Sequence, residues 1–61
     1  METYTCKVNL KNSENLKNEL EELTVIYNDL ELSDHNIQYT VYCSRHTAQS
    51  LKDKGFCLHS N

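Results

Sequence analysis

The organisation of this chain is clearest in the stretch IQYTVYCSRHTAQSLKDKGF, residues 37–56. Its first seven residues alternate between apolar and polar side chains, and this period-two pattern predicts a strand with one buried face. Ser44 then offers an N-cap, Ala48 and Leu51 offer a short buried helical face, and Gly55 is a typical residue just beyond a helix end. The stretch therefore predicts a strand over residues 37–43 and a helix that runs from Ser44 to about Lys54.

The same alternation recurs on both sides of this stretch. Residues 4–10 place Tyr4, Cys6 and Val8 on one face and predict a first strand. Residues 56–59 alternate once more, with Phe56 and Leu58 on one side and Cys57 and His59 on the other, and predict a short final strand.

Between the first two strands, apolar residues recur at spacings of four and three, which is typical of an amphipathic helix. They are Leu16, Leu20, Leu23, Tyr27 and Leu30, with Ile26 at the border of the stripe. We expect a helix over residues 14–29, capped by Ser13 or Asn12. The β propensity of residues 24–27 leaves an earlier end near Leu23 as the alternative.

These elements predict one domain over residues 1–61, of the α/β (α+β) class. The expected order is β-α-β-α-β, with a small three-stranded sheet, a parallel pair of strands joined by a helix, and the helices packed on one face. No apolar run approaches the roughly 20 residues that cross a bilayer, so we expect a cytoplasmic protein without membrane contact. Three cysteines cannot all pair within one chain, which favours reduced thiols.

The charges are distributed unevenly along the chain. Residues 14–34 hold seven acidic residues and one lysine, a net charge of −6, whereas the rest of the chain holds five basic and two acidic residues, a net charge of +3. A field of one sign accelerates encounter with a surface of the opposite sign. We therefore expect a partner-binding face on the first helix, formed by Glu14, Glu21, Glu22 and Asp29, although an acidic helix face is also an ordinary solvated surface.

Two other constellations offer alternatives. A phosphate could be held at the start of the second helix by backbone amides and Arg45, with the exposed ring of Tyr42 nearby for stacking. With Lys52 and Lys54, these residues would make a nucleic-acid-binding regulator that uses the basic C-terminal half. A zinc-stabilised module could instead draw its ligands from the cysteines and histidines of the second half. These residues are Cys43, His46, Cys57 and His59.

The metal hypothesis is the weaker one, because alternation points Cys43 toward the core and turns Cys57 and His59 away from it. Catalysis by Cys43 with His46 as a base has no identifiable orienting residue, and the absence of proline and the single glycine also weigh against an enzyme. The sequence thus favours a small, acidic, non-enzymatic interaction protein without a cofactor, possible as a homodimer, that binds a basic surface of a nucleic-acid-handling protein. In size, acidity and richness in Asn and Lys it resembles short phage-encoded inhibitors and antitoxin-like regulators.

Overall fold

Two eight-residue strands form the centre of the sheet in the computed structural model, which describes residues 2–60. The elements are β1 (Glu2–Asn9), α1 (Leu10–Glu22), β2 (Ile26–Glu31), β3 (Asn36–Cys43), α2 (Arg45–Asp53) and β4 (His59–Ser60). The strands lie in the order β2-β3-β1-β4, and all neighbours are antiparallel. Strands β1 and β2 consequently run parallel to each other with β3 between them, and the βαββαβ element order is that of the split βαβ, or ferredoxin-like, arrangement.

The α+β class is confirmed, but the predicted three-stranded sheet and β-α-β-α-β order are wrong in detail. The additional strand is β2, which the apolar periodicity had assigned to the first helix. The chain reverses direction between β2 and β3, so β3 pairs with β1 antiparallel. The expected parallel pairing of neighbouring strands joined by a helix does not form.

Helix α1 begins and ends earlier than predicted. Its N-cap is Asn9, whose side-chain oxygen accepts a hydrogen bond from the Lys11 amide at 2.9 Å, so the expected cap at Ser13 or Asn12 is wrong. The helix ends at Glu22, which confirms the alternative end near Leu23. Thr24 adopts a left-handed conformation there, with φ of 58°.

Two backbone hydrogen bonds close this end of α1 in a Schellman motif. The amide of Thr24 donates to the Glu21 carbonyl, and the amide of Val25 donates to the Leu20 carbonyl, both at 3.1 Å. The turn directs the chain into β2, so the later residues of the predicted apolar stripe, Tyr27 and Leu30, lie on a strand and not on α1. Leu16 and Leu20 are fully buried, whereas Leu23 is 39% exposed and Leu30, now on β2, is 60% exposed.

Helix α2 agrees with its prediction. The Ser44 hydroxyl accepts a hydrogen bond from the Thr47 amide at 3.2 Å, and Gly55, with φ of 100°, ends the helix in a second Schellman motif. The final strand is shorter than expected, because only His59 and Ser60 pair with β1. Residues 56–58 keep the predicted alternation without pairing, and Leu58 is buried.

The core lies between the two helices and one face of the sheet. It consists of Tyr4, Cys6, Leu16, Leu20, Tyr39, Val41, Cys43, Ala48, Leu51 and Leu58. Strand residues of this set alternate along β1 and β3 and stand opposite one another, as Tyr4 does to Val41, so they share a face. Both helices pack on that face, as predicted. Neither helix of the described chain is long and apolar enough to cross a membrane.

Candidate functional site: an acidic flank beside an edge strand

The carboxylates of Glu14, Glu21 and Asp29 lie around a pair of tyrosines, and we call these three residues the acidic flank. The rings of Tyr27 and Tyr39 lie 5.7 Å apart between centroids, at an interplanar angle of 53°. The Tyr27 hydroxyl donates a hydrogen bond to Glu21 Oε2 at 3.0 Å. The flank is therefore built by α1 and β2 together, and not by the first helix alone.

The carboxylates of the flank also raise the pKa values of the two tyrosines. Burial raises the pKa of Tyr27, and the hydrogen bond to Glu21 and the negative charges of Glu21 and Asp29 raise it further. Burial likewise raises the pKa of Tyr39, with the charges of Asp29 and Glu14 adding to the effect. Both hydroxyls consequently stay protonated at neutral pH and donate hydrogen bonds within the protein, Tyr27 to Glu21 and Tyr39 to the Ser13 carbonyl at 3.4 Å.

The fourth predicted residue, Glu22, lies on another side of α1. The pKa of Lys54 is raised mainly by its hydrogen bond to Glu19, at the junction of α1 with the end of α2, and the charge of Glu22 adds to this effect. The structure thus groups Glu14, Glu21 and Asp29, and separates Glu22 from them.

Within residues 2–60, no basic side chain forms an ion pair with a residue of the acidic flank. The ion pairs in this part of the chain join Arg45 Nε to Glu2 Oε2 at 3.5 Å and Lys54 Nζ to Glu19 Oε2. Glu14 and Asp29 have exposed side chains that take part in neither pair. Their charges therefore act on the solvent and on whatever approaches this side of the protein.

The opposite face of the sheet is uncovered by any described element and carries no carboxylate. The strand register places on it Thr3, Thr5, Lys7, Asn9, Ile26, Asn28, Leu30, Asn36, Gln38, Thr40, Tyr42 and His59. Acidic side chains are thus confined to the helix side of the sheet, its loops and its ends. Lys7 is the one Lys, Arg, Asp or Glu residue among these twelve, so most charged side chains of both signs lie on the helix side.

The residues of the predicted phosphate site are not gathered in one place. Tyr42 lies on the open sheet face, where its hydroxyl accepts a hydrogen bond from Asn28 Nδ2 at 3.5 Å. Arg45 and Lys54 are engaged by Glu2 and Glu19, and Lys52 is exposed in the last turn of α2. Tyr42 therefore lies on the open face of the sheet, whereas the three basic residues belong to α2 and its C-cap on the other side.

The predicted zinc ligands are likewise spread out. Cys43 is buried, Cys57 is exposed, and His46 and His59 are exposed. Across residues 2–60 no three His, Cys, Asp or Glu side chains are grouped so that they could hold a metal ion. Burial and the charge of Glu2 raise the pKa of the Cys43 thiol, so its thiolate is disfavoured and the residue is a poor nucleophile.

Sequence reasoning missed an open groove of about 800 Å³ beside the end of β1. Asn12, Asn15 and Asn18 of α1 line it in a row, since residues three apart are neighbours on a helix surface, and the N-cap residue Asn9 lines it beside them. The spacing of these asparagines could have revealed the row. The position of Asp29 beside Glu14 had no comparable signal, because it depends on β2 returning alongside α1.

Comparison of the chain with protein-family models, with curated proteins and with solved structures finds no match to any of the three. The fold and the geometry of the described residues therefore carry the functional argument.

Proposed function

We propose that this protein is a small, non-enzymatic interaction module whose acidic flank binds a basic surface of a partner protein. The observation that carries the proposal is the grouping of Glu14, Glu21 and Asp29 around the Tyr27–Tyr39 pair, contributed by two elements, with no ion pair to a basic side chain among residues 2–60. A role as an inhibitor or antitoxin-like regulator fits this chemistry, because the targets of such proteins often present basic nucleic-acid-binding surfaces.

Electrostatic repulsion within the flank supports a binding function over a stabilising one. Like charges that crowd one side of a small domain oppose folding slightly, and exposed ion pairs would contribute only about 0–1 kcal/mol even if they formed. A basic partner relieves this repulsion. Its lysine or arginine side chains would also meet the Tyr27 ring at the centre of the flank, where a cation can lie against the aromatic face.

The interaction should be steered by charge. Attraction between surfaces of opposite sign mainly raises the association rate, and salt screens it over a Debye length of about 8 Å at physiological ionic strength. We therefore expect binding whose association rate falls as salt rises, and whose dissociation rate depends on contacts closer to the tyrosine pair.

Comparative affinity capture tests the proposal with two variants of equal net charge. One carries Glu21→Gln and Asp29→Asn, which remove two of the three charges of the flank while Gln still accepts the Tyr27 hydrogen bond. The matched control carries Asp34→Asn and Asp53→Asn, which lie in the β2–β3 turn and at the end of α2. Proteins captured from a host lysate by each bait are quantified by mass spectrometry.

We expect at least one protein to be captured by both the wild type and the control variant but not by the flank variant. Retention of every captured protein by the flank variant would contradict the proposal. Recovery of nucleic acid in place of protein, equally by all three baits, would instead favour the nucleic-acid-binding alternative.

A further inference from the structure

Strand β2 lies at the edge of the sheet, and no strand of the described chain pairs with its outer side. All six of its residues pair with β3 on the inner side. Natural edge strands are commonly protected by charged side chains, proline or a bulge. Strand β2, with the sequence IYNDLE, has no proline or bulge, and its charges are the carboxylates of Asp29 and Glu31, which repel an acidic strand and attract a basic one. It is thus an open template for a further strand.

The phase of the β2–β3 hydrogen bonds determines which backbone groups are available. The Leu32 amide donates to the Asn36 carbonyl at 2.8 Å, and this pair continues the β2–β3 register by one step. Hydrogen-bonded pairs alternate with non-bonded pairs in an antiparallel ladder. The even-numbered residues of β2 therefore bond to β3, and Tyr27, Asp29 and Glu31 direct their amides and carbonyls outward.

The two faces of β2 differ in chemistry. The register puts Ile26, Asn28 and Leu30 on the open sheet face, where Ile26 is 64% and Leu30 60% exposed. Tyr27, Asp29 and Glu31 project on the helix side, where Tyr27 is hydrogen-bonded to Glu21 of α1. A strand laid against β2 would meet carboxylates on one face and exposed aliphatic side chains on the other.

We propose that β2 binds an extended partner segment in which basic and aliphatic residues alternate, so that the segment becomes a fifth strand of the sheet. This inference rests on the proposed function and adds the mode of binding to it. The basic residues of the segment lie opposite Tyr27, Asp29 and Glu31 on the helix side, and its aliphatic residues cover Ile26 and Leu30 on the open face. Backbone hydrogen bonds supply affinity, and the alternation supplies specificity.

A second copy of this chain fits the edge less well. Pairing β2 with itself brings two acidic flanks together in protomers that each carry a net charge of −3. Like charges on neighbouring strands are destabilising. Charge complementarity therefore selects a basic segment as the occupant.

The test uses a capped heptapeptide of alternating lysine and valine, titrated into the full chain and followed by amide chemical shifts. We expect the largest shifts along β2. The proposed register pairs the segment antiparallel to β2 with its lysines opposite Tyr27, Asp29 and Glu31, so the lysine amides face β2 and the valine amides face solvent. N-methylation of the lysine amides should weaken binding by roughly tenfold, whereas N-methylation of the valine amides, the matched control, should change affinity by less than about twofold.

A matched pair of protein variants addresses the same hydrogen bonds from the other side. Asp29→Asn removes the charge and keeps the outward amide, and Asp29→Pro removes both while leaving the even-numbered β2–β3 bonds intact. We expect the proline variant to bind the peptide roughly tenfold more weakly than the asparagine variant. The methylated peptides keep the test decisive if the proline variant does not fold.

Four outcomes separate the two proposals. Equal affinities for the two methylated peptides, with binding still lost on Glu21→Gln and Asp29→Asn, would overturn strand addition and leave the proposed function standing. A threonine–valine peptide that binds as tightly as the lysine–valine peptide would overturn the basic partner. A dimer of the isolated chain in sedimentation, with slow exchange of the amides of Tyr27, Asp29 and Glu31, would overturn the choice of occupant. Loss of binding only with lysine-methylated and uncharged peptides supports both proposals.

Discussion

Replacing Thr24 by glycine should stabilise the protein, because Thr24 occupies the left-handed position that ends α1. The left-handed conformation costs a non-glycine residue about 1–2 kcal/mol, and the greater chain entropy of glycine in the unfolded state offsets about 0.5–1 kcal/mol of the gain. Thr24 is exposed, so its side chain contributes little packing. The net effect is about 1 kcal/mol, which in a domain of this size raises Tm by about 4–8 °C in a circular dichroism melt.

Gly55→Ala is the matched control, since Gly55 ends α2 in the same motif with φ of 100°. No heavy atom lies within 4 Å of an added Cβ, so the substitution isolates the backbone strain, and Tm should fall by a similar amount. An unchanged or lowered Tm for Thr24→Gly, beside the expected fall for Gly55→Ala, would refute this account of how α1 ends.

Leu20→Ala should cost about 2–5 kcal/mol and leave the chain largely unfolded at 25 °C, whereas Leu23→Ala should cost clearly less because that side chain is 39% exposed; urea denaturation of both variants compares them. The free energy of unfolding should decline as pH rises above about 9, because the pKa values of Cys6, Tyr27 and Tyr39 are raised in the folded state. The unfolded chain loses these protons at lower pH than the folded chain, so rising pH favours unfolding. Urea denaturation at pH 7, 9, 10 and 11 measures the decline. EDTA should not alter the circular dichroism spectrum; loss of the folded spectrum, restored by zinc alone, would contradict the distribution of cysteines and histidines described above.

The identity of the residue that ends each helix explains why the sequence predicted the end of α2 and favoured too late an end for α1. Both helices end in a Schellman motif, but α2 does so on Gly55, which is a recognisable signal, and α1 does so on Thr24, which is not. The leucine spacing then continued across the break, because Tyr27 and Leu30 fall at helical intervals by coincidence. The β propensity of residues 24–27 was the correct signal, and the periodicity outweighed it.

The sequence predicted which segment carries the acidic residues of the candidate site, but not how those residues are arranged in space. A net charge of −6 over residues 14–34 identified the acidic side of the protein. The expected single helix would have carried Glu14, Glu21, Glu22 and Asp29 on one face, and the structure instead brings Asp29 in on β2 and turns Glu22 toward Lys54. The open edge of β2 could not be foreseen once its residues had been assigned to a helix.

Association kinetics with the captured partner test the central claim most directly. Stopped-flow rates are measured at low and high salt for the wild type, for Glu21→Gln with Asp29→Asn, and for the control Asp34→Asn with Asp53→Asn. The account predicts that the wild type and the control associate quickly at low salt and slow markedly as salt rises, whereas the flank variant is slow at both. Equal rates for the two double variants at low salt would contradict it, because net charge alone, and not the acidic flank, would then direct the encounter.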